Sequence, residues 1–138
     1  MNRPVHMSAK LKDALDSRVF VTVATLQPDG SPHQSVVWVG LDGHDLFFVT
    51  GVDKLKVRNL RRDPRLSVTV NPPDEPYGYA VISGTARFES TGSRERMDEL
   101  AVKYTGKIYA DHHPESYATL PELITVYLTP QKIAARFL

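Results

Sequence analysis

Cysteine is absent from the 138 residues of this chain. No disulfide can brace it, and no thiolate can act as metal ligand or nucleophile. That suits a reducing compartment. No apolar run is long enough to span a membrane. The first residues, Met1 to Lys12, hold no apolar stretch of the signal-peptide kind. The expectation is a cytoplasmic protein with no membrane partner. An excess of one charge sign is missing too: 17 Lys and Arg stand against 16 Asp and Glu, a formal net charge of +1. Nothing in that balance favours a nucleic-acid partner. Internal repeats, low-complexity tracts and composition shifts are also lacking. One domain over residues 1–138 is expected, with residues 1–8 flexible. At 41% hydrophobic and 24% charged, the composition is that of an ordinary globular domain with a sizeable core.

The apolar pattern predicts mostly strands. Ser8 to Ser17 reads as a short amphipathic helix with Ser8 as cap and Leu11, Ala14 and Leu15 on one face. Val19 to Leu26 and Pro32 to Val39 flank Gln27-Pro-Asp-Gly30, a strong turn signal, and so form a hairpin. A second turn, Leu41 to His44, leads to a third strand from Asp45 to Thr50. Arg65 to Asn71 alternates polar and apolar. Tyr77 to Glu89 is a long strand with Gly84 as a bulge or bend. Ser93 to Tyr104 has helical spacing, and Thr105 to Leu120 reads as irregular with one short helix. Leu123 to Leu128, a Thr129-Pro130 turn and Ile133 to Phe137 close the chain. Hairpins argue for antiparallel pairing. The expected class is mainly β, a closed or split antiparallel β-barrel with peripheral helices.

The most informative stretch is Thr50-Gly-Val-Asp-Lys-Leu-Lys-Val-Arg-Asn-Leu-Arg-Arg-Asp-Pro-Arg65. Asp53 is the expected N-cap of a short helix ending at Asp63-Pro64. Lys54 and Lys56 then fall in the first turn, where the helix dipole is positive and acids are preferred. A phosphate or carboxylate ligand would satisfy both the ammonium ions and the free N–H groups. A solvated basic helix accounts for the spacing equally well.

Other side chains carry weaker signals. His33 and Ser35 share one strand face, and Gln34, Val36 and Trp38 the other. Tyr77 and Tyr79 alternate onto one face, as a packed pair or as a wall for a planar ring. His112-His113 has no partner at a ligand spacing, so no metal is expected. No nucleophile-elbow motif appears, which argues against a hydrolase.

Taken in order, these pieces resemble the pyridoxamine-phosphate-oxidase-like split-barrel superfamily, the FMN-binding split-barrel type. The carriers are the Gln27 to His33 turn, the K-x-K-x-R-N-L-R-R-D-P-R helix and the Y-x-Y-A-V-I-S-G-T-A-R-F strand. More narrowly, the chain looks like the actinobacterial branch that uses the deazaflavin coenzyme F420 in place of FMN. The resemblance implies a homodimer with the cofactor in a groove at the subunit interface. It implies that Ser31, His33, Gln34, Ser35 and Val36 line the ring and its side chain. Thr50, Lys54, Lys56 and Asn59 would face the phosphate and anionic tail, and Tyr77 and Tyr79 would form an aromatic wall. Only Lys132 and Arg136 are basic near the C-terminal end, which argues against pyridoxal chemistry. The implied activity is hydride transfer from reduced F420 to a small electron-poor molecule. The cofactor itself carries the hydride chemistry, which fits the lack of an obvious catalytic constellation, and no catalytic side chain is assigned. An FMN enzyme and a carrier that binds cofactor without turnover are the alternatives.

Overall fold

The structure, a computed structural model, describes residues 5–138. Seven strands form one antiparallel sheet in the order β2-β1-β5-β6-β7-β4-β3. They are β1 (Val21–Leu26), β2 (Pro32–Val37), β3 (Gly40–Asp42), β4 (Asp45–Gly51), β5 (Arg65–Val70), β6 (Tyr79–Glu89) and β7 (Leu123–Arg136). Five helices lie at the periphery: α1 (Ala9–Asp16), α2 (Leu55–Arg62), α3 (Ser93–Thr105), α4 (Tyr109–His112) and α5 (Pro114–Ala118). This is a mainly β split barrel, as the strand pattern predicts.

The hairpin β1–β2 follows from its turn chemistry. Gly30 adopts φ +87°, a value that glycine reaches at little cost. Its N–H donates to the Gln27 carbonyl at 2.9 Å. Register then fixes the faces. Thr25 pairs with His33, Val23 with Ser35 and Val21 with Val37, so these residues share the inner face. The row Val36, Thr22, Thr69, Val81 and Ala134 crosses five strands on the outer face.

The inner face builds the main core. Leu11 and Leu15 of α1, Leu60 of α2, and Val21, Val23, Val68, Ile82 and Leu128 are all buried there. α1 starts as the sequence predicts, with Ser8 Oγ accepting from the Leu11 N–H at 3.0 Å. Residues 1–4 of the lead-in lie outside the described residues. Within residues 5–8, the Val5 N–H donates to the Pro130 carbonyl at 3.0 Å and Met7 is buried.

The Thr129-Pro130 turn is not formed. β7 runs unbroken for 14 residues, pairing with β4 over its first half and with β6 along nearly all its length. Ser83 faces Lys132 while Gly84 faces Pro130, so Gln131 is the extra residue of a bulge. A strand tolerates proline beside such an irregularity, where a ladder donor is already lost. A side chain at Gly84 would run into the Thr129 carbonyl and Leu128, which is why glycine stands there.

Candidate functional site

α2 begins one residue later than the sequence predicts. Lys54, not Asp53, is the N-cap; its carbonyl accepts from the N–H groups of Val57 at 3.0 Å and Arg58 at 3.2 Å. Asp53 is exposed and does not cap, so no side chain accepts from the first turn. Lys56 lies within that turn. It is half-buried, and no carboxylate pairs with it among the described residues. Burial, and then the charge of Lys54, push its pKa below the ordinary lysine value.

Lys56 opens onto a cleft of about 320 Å³. Strand β2 and the residue after it give one wall, Val36, Val37 and Trp38. β4 contributes Val49, and α3 contributes Met97 and Leu100. Phe20 stands at the rim, and Tyr109 enters from α4. The floor is a second, smaller apolar cluster in which Trp38, Val49 and Tyr104 pack on Phe47, Leu100 and Tyr127. Trp38 lies flat on Tyr104, with centroids 5.1 Å apart and 5° between planes.

Three side chains of α3 fix that helix as the far wall. The Tyr104 hydroxyl donates to the Val19 carbonyl at 2.5 Å and accepts from the Val39 N–H at 3.1 Å. The Lys103 ammonium donates to the carbonyls of Leu15 at 2.5 Å and Val39 at 2.6 Å. Arg96 bonds Asp42, Glu99 and the Tyr127 hydroxyl while lying 4.4 Å over the Phe47 ring. Cation–π contact and charge-assisted bonds make this a stiff brace.

Of the residues singled out from sequence, Val36 and Lys56 line the cleft. Thr50 is buried at the end of β4, next to Val49. Lys54 is exposed at the helix entry. His33 and Ser35 turn half-buried to the inner face, and the Ser35 Oγ has no partner among the described residues. Gln34 faces outward. Ser31 stays in the hairpin turn, donating from its hydroxyl to Asp29 at 2.6 Å. Asn59 is fully buried and does not open onto the cleft; its amide donates to the Thr25 hydroxyl at 3.1 Å. Tyr77 precedes β6 and does not share a strand face with Tyr79; both are exposed and outside the cleft.

Three of the four arginines of the basic stretch have structural partners, and Arg58 is exposed. Arg61 lies 4.8 Å over Phe88, Arg62 donates to the Leu26 carbonyl, and Arg65 forks onto Asp63 at 2.7 Å. Arg65 holds the Asp63 carboxyl down to about 2. Sequence reasoning missed Phe20, Val37, Trp38, Val49, Met97, Leu100 and Tyr109 as lining residues. The helical spacing of Met97 and Leu100 was visible, but it reads as core. A larger hollow of about 480 Å³ lies on the outer face, floored by Ala24, Ser67, Ser83 and Gly84. It holds neither Lys56 nor an aromatic ring, so size alone does not make it the chemical site.

A half-buried unpaired ammonium beside an apolar, aromatic-walled cleft fits a ligand with a planar ring and an anionic group. Comparison with known proteins bears on the ligand class. The chain superimposes on a solved F420 reductase with TM-score 0.75 and 23% identity, over 89% of this chain and 94% of that one. A conserved hypothetical protein from Mycobacterium tuberculosis matches with TM-score 0.77 and 24% identity, over 98% and 88%. An FMN-binding protein related to pyridoxamine 5'-phosphate oxidase, from Nostoc punctiforme, matches with TM-score 0.66 and 16% identity, over 94% and 84%. No described helix is long and apolar enough to cross a membrane. The model of the pyridoxamine 5'-phosphate oxidase family matches residues 7–137, and the chain therefore belongs to that family.

Proposed function

We propose that this protein is an F420-dependent oxidoreductase that transfers a hydride from the reduced deazaflavin to a small electron-poor organic molecule. The observation that carries the reading is Lys56: half-buried, unpaired and set against a cleft walled by Trp38 and floored by apolar side chains. Among solved structures of the same fold is an F420 reductase.

The residues present fit such a cofactor. Lys56 would hold its phosphate, with the uncapped first turn of α2 supplying backbone donors and Lys54 facing the anionic tail. Val36, Val37 and Trp38 would lie along the ring. When bound, the deazaflavin supplies hydride chemistry of its own. The protein's part is to orient the ring and keep water from it; the packed wall of Met97, Leu100 and Val49 serves the second task.

The cofactor groove is completed by a second copy in this reading. Val36 is 65% exposed and Tyr79 42% exposed, apolar surface that one chain leaves uncovered. A homodimer would bring the outer-face residues Gln34 and Tyr79 to the groove, with Tyr77 beside them.

An FMN-dependent enzyme using the same cleft is the second reading, favoured by the FMN-binding relative of this fold. Calorimetric titration with F420 and FMN separates the two: F420 should bind more tightly, and equal or tighter FMN binding would move the protein to the second reading. Return of the oxidised chromophore when an electron-poor acceptor meets protein and reduced F420 supports an enzyme. Binding without such turnover, over a panel of acceptors, would leave a carrier.

A further inference from the structure

Besides Lys56, two residues that line the cleft carry polar side-chain groups, Trp38 with its indole N–H and Tyr109 with its hydroxyl. Trp38 is held flat against Tyr104. Tyr109 is different. Its backbone N–H donates to Asp98 Oδ1 at 3.0 Å, which ties the start of α4 to α3. Its ring is braced by His113, with centroids 6.1 Å apart, and by Tyr117 at 6.4 Å. Its hydroxyl has no hydrogen-bond partner among the described residues. A half-buried phenol with its backbone tied to α3, its ring beside two others and its hydroxyl unpartnered is available as a donor.

We infer that the Tyr109 hydroxyl is the second polar anchor of the cleft, donating a hydrogen bond to the same anionic group that Lys56 holds. The inference rests on the reading of the cleft as a cofactor site and names a residue that reading does not need. The chemistry favours a phenol in this place. Lys54 and Lys56 already repel each other, and a third cation would add to that repulsion. A neutral donor supplies another bond to a phosphate oxygen without it. Lys56 reaches the cleft from α2 and Tyr109 from α4, so the anion would be gripped by two separate elements.

The test is Tyr109→Phe, which keeps the ring and removes the hydroxyl. Wild type and variant are titrated with F420 and with its phosphate-free deazaflavin core, and thermal unfolding is recorded for both proteins. The expected result is affinity for F420 lower by about tenfold, the loss typical of a hydrogen bond to a charged group, with affinity for the phosphate-free core unchanged. Unchanged F420 affinity overturns the inference. So does an equal loss for both ligands, which would mean that Tyr109 acts on the ring or through packing. A wild-type protein that binds neither ligand overturns the cofactor reading itself, an outcome distinct from failure of the Tyr109 inference.

Discussion

Asn59 Nδ2 donates to Thr25 Oγ1 over 3.1 Å, and both residues are buried. This bond fixes α2, the helix that carries Lys56, to the inner face of β1. Asn59 is therefore an anchor of the site's frame. Asn59→Ala removes the bond and strands a buried hydroxyl, at an expected cost of about 1–3 kcal/mol. The double variant Thr25→Val with Asn59→Leu replaces both partners by apolar groups and should cost less than the sum of its single changes. Urea unfolding of wild type, Thr25→Val, Asn59→Leu and the double variant measures this. Strict additivity would mean that the two residues are not coupled.

The Tyr104 hydroxyl holds the Val19 carbonyl and the Val39 N–H together. Tyr104→Phe leaves both backbone groups short of a partner and should lower stability by about 1–3 kcal/mol. The ring that supports Trp38 is retained, so Trp38 emission in the folded state should change little. A variant as stable as wild type would show that water replaces the hydroxyl at no cost.

Gly84 sits against the Thr129 carbonyl at the bulge of β6 and β7. Gly84→Ala forces a methyl into backbone that cannot swing aside, and should destabilise by about 1–3 kcal/mol. Thermal unfolding reads the effect. An unchanged midpoint would mean that the bulge yields.

Much of this frame is legible in the sequence because its signals are local. The Gln27 to Gly30 turn sets the first hairpin, Ser8 caps α1, and the alternation over Arg65 to Val70 marks β5. Pro130 misleads, since its place in a strand depends on Gly84 across the ladder, 46 residues earlier in the chain. Asp53 misleads because capping hangs on the exact residue at which α2 starts. The site is less legible than the frame. Lys56 stands out through its wrong-signed position in the first turn. Tyr109 and Leu100 reach the cleft only because α3 is clamped by Arg96, Lys103 and Tyr104, and no local pattern announces that. Asn59 looks like a ligand contact by its neighbours in sequence, but burial gives it another task.

Lys56 also predicts a pH dependence. In the free protein its pKa is lowered by burial and by Lys54. A bound anion favours the ammonium, so binding raises that pKa and takes up protons. Affinity should be constant below the free-protein pKa, then fall as pH rises from there towards the pKa in the complex. Lys54→Ala removes one cause of the lowering and should move the fall to higher pH. Titrations of F420 across the alkaline range check this. A fall that persists unchanged in Lys56→Ala would assign it to another group.

The most direct test is a titration of wild type and Lys56→Ala with F420, followed by quenching of Trp38, the one tryptophan of the chain. Trp38 lines the same cleft as Lys56, so a ring bound there must be sensed. Wild type should show saturable quenching that weakens with added salt. Lys56→Ala should bind about ten- to a hundredfold more weakly, the value of a charge-assisted contact, and Arg58→Ala, exposed on the same helix, should bind like wild type. Absence of quenching in the wild type, or equal affinity of wild type and Lys56→Ala, would contradict the assignment of this cleft to an anionic deazaflavin.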